Sequence, residues 1–400
     1  MNKISSVKIT DKPVVLMVLT GILALSLFLQ HEFDLRQALL FLTGIGLGAT
    51  LMHALFGFSG AWRFFIRDRK SVGIRAQLLL IGLCSILFFP MIAGVFPSIS
   101  VGAAMGQVGT SVIVGAFIFG IGMQLGGGCG SGTLFTVGQG QVDMLITLSF
   151  FIIGATLGSA HLGWWLSLPN IGKVSVINEM GWGVALALQL FVLFILYRLV
   201  RSMELKRQQK IADFSSQTPR ENNIERLIHG PWPLWWGIIG LSVLSLVTLL
   251  LAGYPWSITF AFGLWGSKIW VALGGDVSSW AYWSGGYPAK ALNQSVLADI
   301  TTIMNIGIIA GAMLAAALAG KYAPKDKVTR KRFMTAVIGG LLLGYGARLA
   351  FGCNIGGLLG GIASGSLHGW LWLVAGFSGG VVGVKIRVWL KLDKPYGATV

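Results

Sequence analysis

Charge is scarce in this 400-residue chain: 11% of its residues are Asp, Glu, Lys or Arg, against 54% hydrophobic. A soluble domain carries about 25% charged residues, so a chain with less than half that share cannot cover a water-facing surface. With a mean hydropathy of +0.76, lipid is the implied solvent. Acidic residues are scarcer still, 14 against 30 Lys plus Arg, which leaves a formal charge of +16. The basic residues fall in short clusters between apolar runs, not on a contiguous basic face. That distribution excludes a nucleic-acid partner and matches topology signals and contacts with anionic lipid. Cysteine is nearly absent. Cys84, Cys129 and Cys353 are too few and too scattered for a disulfide framework. Neither Cys-x-x-Cys nor His-x-x-x-His spacing occurs, which argues against a structural zinc site. No phosphate-cradling P-loop pattern appears, so direct ATP coupling is not expected. No cofactor is called for.

What the chain does have is long apolar runs. They lie near 13–30, 36–57, 74–97, 108–126, 142–167, 180–200, 232–254, 300–320, 333–351 and 367–388. Each suits a helix of roughly 20 residues crossing a hydrocarbon core. Lys3, Lys8 and Lys12 precede the first run, and no small-x-small cleavage site follows it, so it reads as a retained span. A shorter piece at 255–275 is broken by Pro255, Gly263 and Gly266 and contains Lys268. Basic clusters lie at Arg63–Arg75, Arg198–Lys210, Lys321–Arg332 and Lys385–Lys394. Ten spans with a cytoplasmic N-terminus place all four inside, as the positive-inside tendency prefers. An eleventh span would put the last two outside, so 255–275 is expected to re-enter the bilayer and not cross it. The charged stretch 201–231 reads as a cytoplasmic linker between transmembrane halves 1–200 and 232–400. The 15 tryptophans gather near span ends, as in an aromatic belt. Trp164, Trp165, Trp232, Trp235, Trp236, Trp370 and Trp372 are read that way, and His53, His161 and His368 are expected at the interface too.

An internal repeat carries the most information. At a constant offset of 224, Gly115, Gly120, Gly122, Leu125, Gly128, Cys129 and Gly132 match Gly339, Gly344, Gly346, Leu349, Gly352, Cys353 and Gly356. Glycine is abundant, with 57 residues, so the shared cysteine and ungapped register carry the argument. A weaker echo, offset by 206, pairs Phe56–Gly60 with Phe262–Gly266. In the ten-span topology the helix before Cys129 runs inward and the helix before Cys353 runs outward. The expected fold is therefore an all-α polytopic membrane protein: about ten transmembrane helices in two pseudo-symmetric, inverted halves. Such halves, with interrupted helices meeting near mid-bilayer, are a recurring transporter plan.

Each repeat helix is followed by a glycine-rich stretch too short to span, Gly126–Gly140 and Gly352–Gly365. Irregular backbone at membrane depth is tolerated only where protein or a water-filled cavity satisfies it. Three successive glycines, Gly126 to Gly128, cost a helix about 1 kcal/mol apiece relative to alanine, more than close helix packing alone requires. These stretches read as re-entrant loops whose exposed N–H groups suit an anion. A thiol is a weak donor and soft acceptor, and weak serial contacts favour transit over trapping. Cys129 and Cys353, with Gly128, Gly352 and Asn354 beside them, are the candidate substrate path; Cys84, among aliphatics, is a packing residue. Arg348 stands at depth in an apolar helix, where an ionisable group is a functional hypothesis by default. It either attracts an anion or ties loop carbonyls together. Gln124 is its neutral counterpart in the first half.

At these residues the chain resembles the YeeE/YedE family of sulfur-transporting inner-membrane proteins. Gly128-Cys129, Gly346-Ala347-Arg348-Leu349, Gly352-Cys353-Asn354, Ser366-Leu367-His368 and Arg63 with Arg67-Asp68 carry the likeness. The resemblance implies thiosulfate or a related small sulfur anion passed between cysteines of loops entering from both faces. It also implies an earlier cysteine in a Phe-Cys-Phe stretch, where this chain has Phe56-Gly57-Phe58. Gly57 therefore joins the candidate path, and thiosulfate specificity follows with less force than family membership. Two other classes stay open at this level: a membrane-embedded enzyme forming a cysteine persulfide, and a non-transporting subunit that docks a soluble cytoplasmic sulfur carrier.

Overall fold

The computed structural model describes residues 10–215, 223–322 and 328–393. Lys3, Lys8, Lys325, Lys327 and Lys394, used above to set topology, lie outside the described residues. The longer helices are α1 (Lys12–Glu32), α2 (Leu35–His53), α3 (Phe58–Asp68), α4 (Val72–Ile92), α5 (Thr110–Leu125), α6 (Gly130–Gly138) and α7 (Val142–Ser167). They continue as α8 (Trp182–Gln208), α9 (Leu234–Ala252), α10 (Thr259–Ala272), α11 (Ile300–Leu318), α12 (Arg330–Leu349) and α13 (Leu367–Trp389). Among the described residues, ten helical segments are long and apolar enough to cross a membrane, and they coincide with the ten expected runs. A helix satisfies all its interior backbone groups within one segment, which the absence of water in lipid demands. The chain is a multi-pass, all-α membrane protein.

The piece at 255–275 forms α10, at 14 residues too short for a span. It starts in the protein centre: the Ile258 carbonyl accepts from buried Asn305 Nδ2 at 3.0 Å. After it, the chain covers one end of the molecule with a loop holding the short helix Gly286–Asn293. Lys268 is held there by the carbonyls of Leu292 and Gln294, both at 2.6 Å.

Two boundaries differ from expectation. Helix α8 runs to Gln208, so the linker at 201–231 begins as a continuation of a spanning helix. Glu204 explains why: buried on α8, it accepts from Ser71 Oγ at 2.6 Å and Arg75 Nη2 at 3.3 Å, clamping α8 to the start of α4. The second difference is a two-stranded antiparallel ribbon, Gln107–Gly109 with Asn170–Lys173, which caps the loops before α5 and after α7.

The inverted repeat is written in the contacts of its glycines. A Cβ on Gly115 would lie 2.6 Å from Leu349 Cβ, and one on Gly122 would lie 2.8 Å from Leu343 N. Numbers rise along α5 as they fall along α12, so the two repeat helices are antiparallel. Their neighbours obey the same operation. Gly158 on α7 meets Arg348 Cβ at 2.8 Å, and Gly383 on α13 meets Gln124 Cβ at 2.9 Å. Gly154 abuts the Leu341 carbonyl as Gly379 abuts that of Phe117, and Gly344 abuts Phe151 as Gly120 abuts Gly376. The most extensive seams join one half to the other: α5 to α13, α7 to α12, and α2 to α11 through Gly44 and Gly48. Small residues at such crossings let backbones approach, the main source of helix attraction where lipid removes the hydrophobic drive.

Candidate functional site

Both cysteine loops repeat one backbone path. After α5, Gly127 turns left-handed at φ +82; after α12, Phe351 occupies the matched position at φ +58. Glycine takes this conformation freely, whereas a side chain does so at a cost of about 1–2 kcal/mol. Next come Gly128 and Gly352, the latter at φ +145, where a Cβ would lie 2.5 Å from Gly357 N. Cys129 and Cys353 then adopt nearly one conformation, φ/ψ −93/−165 and −83/−165, and each caps the helical turn that follows. Cys129 Sγ accepts from Gly132 N and Cys353 Sγ accepts from Ile355 N, both at 3.4 Å. Helix α6 follows the first cysteine, and a π-helical turn, Asn354–Leu359, the second.

The two loops bring the sulfurs into one neighbourhood. Both thiols are completely buried. A Cβ added to Gly130, the residue after Cys129, would sit 2.8 Å from Cys353 Sγ. Gly130 thus keeps the two half-helix starts in contact. Cys84, also buried, faces Ser242 and Ser245 on α9 and belongs to the packing.

A cavity of about 590 Å³ leads toward the Cys353 loop, with Gly352, Ser257, Ala347, Arg348 and His368 in its wall. Arg348 Cζ lies 4.2 Å over the centre of the Tyr282 ring. Its Nε and Nη2 have no hydrogen-bond partner, and no carboxylate pairs with it among the described residues. Gly263 on α10 makes room for this guanidinium, since a Cβ there would overlap Nη2. Burial raises the pKa of the Tyr282 hydroxyl while the Arg348 charge works against it. Asn354, fully buried in the π-helical turn, leaves both amide atoms unpaired. An orphan buried polar group costs about 1–3 kcal/mol, so the unpaired atoms of Arg348 and Asn354 are held at a cost to stability. Gly57 lies elsewhere, in a second cavity of about 520 Å³ with Gly60, Lys70, Gly73 and Gln77. A Cβ at Gly57 would meet nothing within 4 Å.

Three interface assignments are corrected. His368 is 1% exposed; its Nδ1 accepts from Gly106 N at 3.2 Å and from Ser366 Oγ at 2.6 Å, which places the ring proton on Nε2. Trp372 is also wholly buried, donating to the Gly352 carbonyl at 3.1 Å and supporting the Cys353 loop from behind. His53 is buried too, stacked on Trp232. Trp164 and Trp235 are exposed as an aromatic belt requires. Gly130, Tyr282 and Trp372 are the residues of this site that spacing and repeat did not single out. The offset pairs Gly130 with Asn354, so identity matching passed over it.

Together these features define a polytopic helical membrane protein with paired, inverted, thiol-bearing loops. The chain belongs to the sulphur transport family, whose model matches residues 53–382. Over 285 residues it is 30% identical to the thiosulfate transporter TsuA of Spirochaeta thermophila, covering 65% of this chain and 72% of that relative. It is 23% identical over 368 residues to the thiosulfate transporter TsuA of Escherichia coli, covering 88% and 94%. The probable transporter YedE of Escherichia coli is 30% identical over 168 residues, covering 40% and 41%.

Proposed function

We propose that this chain carries thiosulfate or a related small sulfur-containing anion across a bacterial-type inner membrane, handing it between Cys353 and Cys129. The observation that carries the reading is the packing of Cys353 Sγ against Gly130, directly beside Cys129, at the starts of two inverted helical turns. Arg348 attracts the anion into the cavity, Asn354 supplies an amide donor, and the helix starts supply backbone N–H groups. Neutral thiols then offer S–H donors to the anion without the tight hold of a cation. The two relatives named as thiosulfate transporters support this substrate class. Termini and basic loops lie on the cytoplasmic side, and those loops present the surface that a soluble sulfur carrier would meet.

The test is uptake by purified protein in liposomes, offered thiosulfate, sulfite and sulfate separately. Thiosulfate enters well above the protein-free leak, and failure of every sulfur anion to enter overturns the proposal. Gly57→Cys fits without displacing a neighbour and places a third thiol in the inner cavity. We expect it to raise thiosulfate uptake severalfold over wild type. A fall on this substitution would remove Gly57 from the path.

A further inference from the structure

The repeat places Gln124 where the second half has Arg348, and the two side chains sit on equivalent glycines, Gly383 and Gly158. A neutral amide at that position would leave the Cys129 half, the inner one in the ten-span topology, without the cation of the Cys353 half, the outer one. The surroundings of Gln124 supply one. Arg63, on α3, donates from Nε to Gln124 Oε1 at 3.3 Å, while Gln124 Nε2 donates to the Ser59 carbonyl at 3.4 Å. Arg387, on α13, donates from Nη1 to the Gln124 carbonyl at 2.7 Å.

The charges around this point do not cancel. Arg387 is engaged by Asp393 through two hydrogen bonds, at 2.7 and 3.0 Å, and Arg67 pairs with Asp68 at 2.7 Å. Arg63 has no carboxylate partner among the described residues. In the outer half the guanidinium comes from α12 into room left by Gly263 on α10. In the inner half it comes from the opposite wall, α3, and meets a shorter amide on α5. The repeat thus relates Gln124 to Arg348, and the cation beside Gln124 comes from a helix not equivalent to α12.

We propose that Arg63 is the anion-recognising cation of the inner half, the spatial counterpart of Arg348, for the same class of sulfur-containing anion. This rests on the transport reading above. An anion leaving the Cys129 loop exchanges weak thiol contacts for a charge-assisted one with Arg63, as it exchanged Arg348 for thiols on entry. With a cation at each end and neutral groups between, neither half holds the anion as a fixed ion pair.

The experiment measures thiosulfate uptake by liposomes carrying wild type, Arg63→Gln, Arg63→Lys and the exchange Arg63→Gln with Gln124→Arg. Arg63→Gln lowers uptake at limiting thiosulfate by about tenfold or more, the low end of what a single-sign cleft adds to capture. Arg63→Lys keeps the charge and most of the uptake, although it loses the planar Nε donor. The exchange moves the guanidinium to α5 and restores most of the loss. A purely structural strut would be broken by lysine as by glutamine. Arg63→Gln at the wild-type rate overturns the inference, as does equal impairment of Arg63→Lys and Arg63→Gln; if the exchange misfolds, those two single variants still decide. Wild type without any uptake overturns the transport reading and this inference with it, whereas uptake indifferent to Arg63 sinks this inference alone.

Discussion

Thiosulfate uptake falls to the protein-free leak in Cys353→Ala and in Cys129→Ala, while both variants keep near-wild-type yield and melting temperature in detergent. Each thiol caps a helical turn through one long N–H···S contact at 3.4 Å, so its removal costs stability roughly 1 kcal/mol. A fold with seams this extensive absorbs that. Transport has no such reserve, because Cys353 Sγ packs against Gly130 beside Cys129 and neither thiol has a duplicate: Cys84 faces Ser242 and Ser245. Serine at either position restores a cap and a donor, but its hydroxyl is smaller and less polarisable than the thiol against a sulfur-terminated anion, and uptake stays low. Uptake at wild-type levels in both alanine variants would remove the thiols from the mechanism.

Arg348→Gln is expected to lower uptake at limiting anion by about a hundredfold, the usual effect of deleting one preorganised donor to an anionic centre. The guanidinium is fixed by the Tyr282 face and by the space above Gly263, and its Nε and Nη2 are unpaired. A buried guanidinium whose Nε and Nη2 stay unpaired costs the resting protein stability despite its contact with the Tyr282 ring, so glutamine also raises the melting temperature slightly. Uptake is read as a function of anion concentration. A loss of affinity with the maximal rate kept assigns Arg348 to capture, and unchanged uptake would assign it to packing alone.

Much of this arrangement was legible in the chain itself. Composition and run length lead to ten spans because lipid punishes unsatisfied backbone at every residue, so the signal is spread over whole segments. The repeat around Cys129 and Cys353 was legible because the same close crossings recur in both halves, and close crossings require glycine at fixed spacing. What escaped depends on chains folding back. His368 and Trp372 stand near the beginning of a span and read as interfacial, yet the Cys353 loop dips beneath them and buries both. Tyr282 lies in a polar connection whose path over the cavity no periodicity reveals. Hydropathy marked the end of lipid near residue 200, but α8 continues to Gln208, because a helix can leave the bilayer and be pinned by an ion pair.

Arg387 also shows how a local pair sets the charge balance beside Gln124. Its hydrogen bonds hold Asp393 below the usual carboxylate range, so that neutralisation persists through physiological pH. On the proposed path Arg63 is then the cation without a hydrogen-bonded carboxylate among the described residues, although Asp393 also acts on it at longer range.

The glycine seams have a mechanical consequence. Each repeat grips the other along α5–α13, α7–α12 and α2–α11, so a see-saw motion of the halves would have to break these crossings. For the proposed transport, passage of the anion is then expected to rest on loops and side chains shifting within this frame. Tethering α5 covalently to α13 should leave the uptake rate untouched, and a tether that halts uptake would show that the frame itself must open.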